Sequence, residues 1–125
     1  KNDDFPGGKC MTVQQLLSVL GAQNLTPEVS LDREVSSGYT CDLLSFVMAH
    51  GQPGTAWVTV QTHLNVIAVA VLLEFSCILL PEDVTMEAES LKKAAAEGIP
   101  VLKSEKTAYK LCGEMAAAGI SASKG

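Results

Sequence analysis

Ala56-Trp57-Val58-Thr59-Val60-Gln61-Thr62-His63-Leu64-Asn65-Val66-Ile67-Ala68-Val69-Ala70-Val71-Leu72-Leu73 decides how this chain folds. Residues 56–61 alternate and are rich in β-formers, which predicts a strand. Residues 63–73 are apolar and carry many β-branched side chains, so periodicity alone does not choose between helix and strand. Two neighbours choose. Thr62 stands where a helix cap belongs, and a second apolar run, Phe75-Ser76-Cys77-Ile78-Leu79-Leu80, follows at once. That run is nearly continuous in apolarity, as in a strand covered on both faces. The stretch therefore reads strand, buried helix, buried strand.

Downstream the pattern repeats. Pro81-Glu82-Asp83 breaks the strand, Thr85 is expected to cap a helix over 86–97, and Gly98 to stop it. Residues 99–102 form a short strand, with Pro100 marking its start or an edge. Ser104 is expected to cap a last helix over 105–118, with Gly119 after it. Upstream, Thr12-Val13-Gln14-Gln15 is a capping-box pattern, and Val13, Leu16, Leu17 and Leu20 share a helical face before Gly21. Residues 25–31 look irregular or weakly extended, 34–39 read as a strand and 42–50 as a helix. Gly51 is expected to supply a left-handed stop. Successive strand–helix units predict an α/β fold, a compact single domain with a largely parallel sheet and helices on its faces.

Composition removes several function classes. The chain has 125 residues, 47% hydrophobic and 18% charged, which suits one globular domain. Aromatics are only 5% and the net charge is −5, so neither base stacking nor phosphate neutralisation is provided for, and no nucleic-acid partner is expected. Residues 64–81 are long and apolar, but Asn65, Glu74 and Ser76 interrupt them. Neither uninterrupted piece reaches the roughly 20 residues of a spanning helix, so no membrane segment is expected. Cys10, Cys41, Cys77 and Cys112 lack metal-ligand spacing and read as reduced thiols of a cytoplasmic protein. Residues 1–10 are expected to be a disordered leader or expression remnant, 11–120 the domain, and 121–125 a flexible tail.

The catalytic motifs are missing. Gly7-Gly8-Lys9-Cys10 is too short for a phosphate loop and lacks its hydroxyl, and neither G-x-G-x-x-G nor G-x-S-x-G occurs. Asp32, Asp42, His50 and His63 are too widely spaced for a metal motif, and no metal or cofactor is expected. One polar cluster remains: Gln61, Thr62, His63 and Asn65, at a strand-to-helix junction. Ligands collect at such junctions because unpaired backbone amides point outward there. It has two readings. In the first, these residues cap and tie the turn. In the second, they line an anion or nucleotide pocket, with Asp42 nearby and Arg33 supplying a bidentate cation from a neighbouring loop. Asp32-Arg33 likewise reads either as a surface turn with a local ion pair or as a contact in which Arg33 crosses to another element or subunit and fixes an interface.

Several blocks taken together resemble the DRTGG domain family. They are Leu31-Asp32-Arg33-Glu34-Val35, Gly38-Tyr39, Asp42-Leu43-Leu44-Ser45, Trp57 through Asn65, Ala68-Val69-Ala70, Glu97-Gly98-Ile99-Pro100-Val101-Leu102, Ser104 and Ala108-Tyr109. The resemblance runs from about residue 11 to 120. It departs from the family pattern after Asp32-Arg33, where Glu34-Val35-Ser36-Ser37-Gly38 replaces a contiguous Thr-Gly-Gly. The resemblance implies a fold like the N-terminal domain of HPr kinase/phosphorylase. It implies a regulatory or dimer-forming module of the kind found in phosphotransacetylases and CBS-containing pyrophosphatases, and stand-alone members accessory to iron-only hydrogenases. The kinase activity of some relatives does not carry over, since the phosphate loop is absent.

The leading expectation is thus a non-catalytic regulatory homodimer sensing a small anionic metabolite or nucleotide. Its contact surface is expected around Trp57 or residues 32–39. An alternative is an enzyme using His63 with Asp42 or Cys41 in acyl or phosphoryl chemistry. A third is a scaffold for a protein partner in redox metabolism.

Overall fold

The computed structural model describes residues 11–123. The expected leader, and the last two residues of the expected tail, lie outside that range. In chain order the elements are β1 (Met11–Thr12), α1 (Val13–Leu20), β2 (Gln23–Asn24), β3 (Glu34–Val35), β4 (Ser37–Thr40), α2 (Leu44–His50), β5 (Thr55–Val58), α3 (Leu64–Leu72), β6 (Cys77–Leu80), α4 (Ala88–Glu97), β7 (Val101–Lys103), α5 (Ala108–Ala117) and β8 (Ser121–Ala122). Six strands form one sheet in the order β2-β7-β6-β5-β4-β8, while β1 and β3 pair separately. Only β2 runs antiparallel to its neighbour in the large sheet. This is the largely parallel α/β sheet that the alternating segments imply.

The handedness of the crossovers assigns each helix a side. From β4 to β7 the chain steps one strand at a time in one direction, so α2, α3 and α4 share a face. From β7 it returns across the whole sheet to β8, so α5 lies on the other face, beside α1. The strand side chains divide accordingly. Trp57, Ile78, Leu80 and Val101 pack under α2–α4, and Ala56, Val58, Cys77, Leu79 and Leu102 under α1 and α5. β5 and β6 are buried at every position, which for β6 is why the sequence is nearly continuous in apolarity. Trp57 is fully buried, edge-on to Phe75 at 5.4 Å between ring centroids. The contact surface expected around Trp57 is therefore interior.

The capping box on α1 forms as its sequence predicts, with Thr12 accepting from the Gln15 amide and Gln15 from the Thr12 amide. Three other expected starts shift. α3 begins at Leu64 behind His63, and no side chain caps it. The Thr85 hydroxyl lies 3.3 Å from Lys103 Nζ, and α4 starts later, at Ala88. Ser104 accepts from the Lys106 amide at 3.0 Å, and Thr107 caps α5 instead. The strand expected over 34–39 divides at Ser36, whose amide donates to Gly54. Ser121 and Ala122, expected in a flexible tail, pair with β4.

Gly51 is needed for a different reason from the expected one. Its backbone is extended (φ −67°, ψ 146°), not left-handed. A Cβ there would sit 2.6 Å from Phe75 Cζ and 2.9 Å from Leu73 Cδ1. The residue is small because the α2–β5 connection passes directly over those two side chains.

Candidate functional site

The carboxyl ends of the parallel strands make one rim of the sheet, and the β4–α2 and β5–α3 loops meet there. Asp42 joins them. Its carboxylate accepts from the Thr59 hydroxyl at 2.7 Å and the Val60 amide at 2.9 Å. The Gln61 side chain returns a bond to the Asp42 carbonyl at 2.7 Å, and the Gln61 amide donates to Thr59 Oγ1 at 3.2 Å. Trp57 Nε1 donates to the Cys41 carbonyl at 2.9 Å, fixing the same loop from below. Asp42 and Gln61 are thus brought together, and their polar groups hold the turn.

His63 and Thr62 look towards the next helix. His63 Nδ1 is 3.0 Å from a Glu87 carboxylate oxygen, with both side chains largely exposed. Buried Ser90 of α4 donates to the Thr62 carbonyl at 2.7 Å. Asn65 is exposed in the first turn of α3. No side chain caps this nine-residue helix, so the Leu64 and Asn65 amides have no side-chain partner, while the Val66 amide donates to the His63 carbonyl at 3.0 Å. His63 and Asp42 therefore spend their contacts on different partners. Cys41 Sγ makes its own local contact, 3.8 Å from the Leu43 carbonyl. No nucleophile–base pair forms from these three residues.

Arg33 is at the other rim. Its Nη1 donates to the Phe75 carbonyl at 3.0 Å, just before β6 begins, and an added Cβ on Gly98 would lie 3.9 Å from its Nη2. The sheet stands between it and His63. Arg33 ties the segment before β3 to the amino end of β6, the crossing contact of the two readings its sequence allowed. Burial pushes the nearby Cys77 thiol up to about 12, with Arg33 opposing weakly. Cys77 is accordingly a small core side chain and no nucleophile.

Three participants were not legible in the sequence. Thr59 carries a signal only as a polar residue on a strand. Glu87 and Ser90 carry none, because they come from the start of α4, more than twenty positions further along the chain. The β6–α4 loop joins the rim in a strained form. Glu82 and Asp83 both have positive φ (55° and 59°), held by amide bonds to the Lys106 and Ser104 carbonyls at 2.8 and 2.7 Å. Beside it a crevice of about 250 Å³ is lined by Asp83, Lys103, Glu105 and Lys106 among others. Lys103 pairs with Asp83 at 3.1 Å and Lys106 with Glu114 at 2.8 Å, so both ammonium groups are already matched. A cavity of about 380 Å³ opens between β4, β8 and α5 and has no charged side chain in its lining. Among the described residues no cluster of His, Cys, Asp or Glu is placed to hold a metal ion, and no helix is long and apolar enough to cross a membrane.

Fold and rim together define an α/β domain with helices on both faces of its sheet and polar loops knitted along the strand carboxyl ends. No family model matches the chain, and no curated protein does. Its fold is similar to the CBS and DRTGG domains of the regulatory region of Clostridium perfringens pyrophosphatase. That structure is a complex with the activator diadenosine tetraphosphate. The TM-score is 0.63 at 13% identity, over 80% of this chain and 44% of that one. The chain therefore spans less than half the length of the structure it matches, and the likeness is one of fold.

Proposed function

We propose that this chain is a non-catalytic, self-associating regulatory domain of the DRTGG type that binds a small anionic metabolite or nucleotide at the carboxyl rim. The observation that carries the reading is how the rim uses its polar groups. Asp42, Thr59 and Gln61 lock two loops together, while exposed His63, beside Glu87, and exposed Asn65 flank the start of α3, which no side chain caps. A helix start without a side-chain cap, held by a fixed loop, favours binding an anion over transforming a substrate. The fold likeness to a regulatory region solved with a dinucleotide activator supports the same reading.

Thermal unfolding of the chain against a panel of nucleotides and organic anions tests it. A ligand at a hundred times its Kd adds roughly 2.7 kcal/mol to stability, a readily measured rise in midpoint. His63→Ala and Asn65→Ala should lose that rise. Arg33→Ala should lower the starting midpoint but keep the rise, because Arg33 lies across the sheet. A rise lost in Arg33→Ala and kept in the other two would sink the site assignment. No rise with any compound would sink the sensing role and leave a scaffold for a protein partner.

A further inference from the structure

Between Asp42 and Glu74 the sequence contains no Asp, Glu, Lys or Arg. For the buried strand β5 this is ordinary. For α2 and α3 it is not, because both helices lie on the outside of the sheet. α3 buries Val66, Ile67, Val69 and Ala70. At 3.6 residues per turn, Leu64, Ala68, Val71 and Leu72 lie on the opposite side, and all four are exposed. Leu72 is 63% exposed and Leu64 44%. Next to them, Leu43 and Phe46 at the start of α2 are 63% and 49% exposed. A helix apolar on every side is normally covered on every side. This one is covered only from within.

We propose that the outer face of α3, flanked by α2, is the surface on which a second copy of this chain docks. The inference rests on the self-association in the functional reading and names its interface. The charge pattern selects the occupant. A lipid surface or a nucleic acid would be met by Lys or Arg, and α2 and α3 carry neither. A charged protein segment would leave its charges desolvated and unpaired here. Two copies of a chain with net charge −5 repel wherever acidic surfaces face each other. On this face they meet without like charges opposed. A two-fold axis sets each α3 stripe against its counterpart, so one apolar surface is its own complement.

Sedimentation of the full chain over a wide concentration range tests this, with Leu72→Glu and Phe46→Glu as disrupting variants. Tyr109→Glu, at a 90% exposed position on α5 on the opposite face, is the control. Both disrupted positions are exposed, and circular dichroism of each variant is the check that it is folded. The wild type should dimerise, and each disrupting variant should raise the dimer Kd roughly tenfold or more. The control should leave it unchanged. A dimer indifferent to Leu72→Glu and Phe46→Glu would overturn the interface while self-association stands. A wild type monomeric at every concentration would overturn self-association and the interface with it. If it dimerised only after residues 1–10 were removed, that segment would be the occupant and the proposal would be overturned.

Discussion

α3 and α4 lie side by side on one face of the sheet, and their inner sides obey the same rule. α3 sends Val66, Ile67, Val69 and Ala70 inward, and α4 sends Ser90 and Ala94. Their outer sides differ completely. α4 exposes Glu89, Lys92, Lys93 and Glu97, and α3 exposes Leu64, Ala68, Val71 and Leu72. Inner packing fixes where each helix sits, and either composition satisfies it. Outer composition records what each helix meets afterwards, and the two records disagree. α4 is dressed for water. α3 carries no charge on its outer side, which suits the second copy proposed above, although its amino end carries the polar rim.

The largest expected effect tests whether the two sides of α3 are energetically distinct. Ile67→Ala removes a fully buried side chain and should cost about 2–5 kcal/mol in urea unfolding. Leu72→Ala, at concentrations where the chain is monomeric, should stay within roughly 0.5 kcal/mol of wild type. Equal losses would mean that the outer stripe is already covered within one chain, and the contrast with α4 would collapse.

A middle-sized effect separates how the two helices are entered. The loop into α3 is held by Asp42, and Asp42→Ala leaves the Thr59 hydroxyl and Val60 amide without that acceptor. The expected loss is about 1–3 kcal/mol. α4 is tied to the same junction by the Ser90 hydroxyl on the Thr62 carbonyl. Ser90→Ala should cost nearer 1 kcal/mol, since a neutral bond is lost and the carbonyl retains a second lone pair. If Ser90→Ala proved the costlier of the two, the rim would be organised from α4 and not from the Asp42 clasp.

Much of this was legible in the chain, and the parts that were not share a cause. The period of residues 56–61 and the unbroken apolarity of 75–80 announced β5 and β6, because burial on one or both faces is written directly into side-chain alternation. Thr12-Val13-Gln14-Gln15 announced α1, because a capping box is local. Thr62, Thr85 and Ser104 misplaced three helix starts, by one, two and three residues, since a hydroxyl can bind a loop as well as a helix end. Arg33 was grouped with His63 on chemistry alone. Which rim a residue occupies depends on strand direction, and its partner Phe75 is 42 positions away. Trp57 was expected near a contact surface, but the alternation that identifies a strand does not say how many layers will cover it. The uncharged run between Asp42 and Glu74 was visible throughout. It acquired meaning only when the fold placed two of its helices outside.

The smallest effect concerns the charged face itself. Lys93 and Glu97 are one turn apart on α4, with Nζ 3.1 Å from a carboxylate oxygen and both side chains well exposed. Solvent screens such a pair, so Lys93→Ala should cost only about 0.3–0.5 kcal/mol, fading as salt is raised. Its use lies in what it leaves alone. If α4 faces water and α3 faces a second copy, Lys93→Ala should not move the dimer Kd at all, whereas Leu72→Glu moves it strongly. A shift in Kd with Lys93→Ala, together with an association that weakens with added salt, would mean that the charged helix is at the interface. The apolar stripe of α3 would then need another explanation.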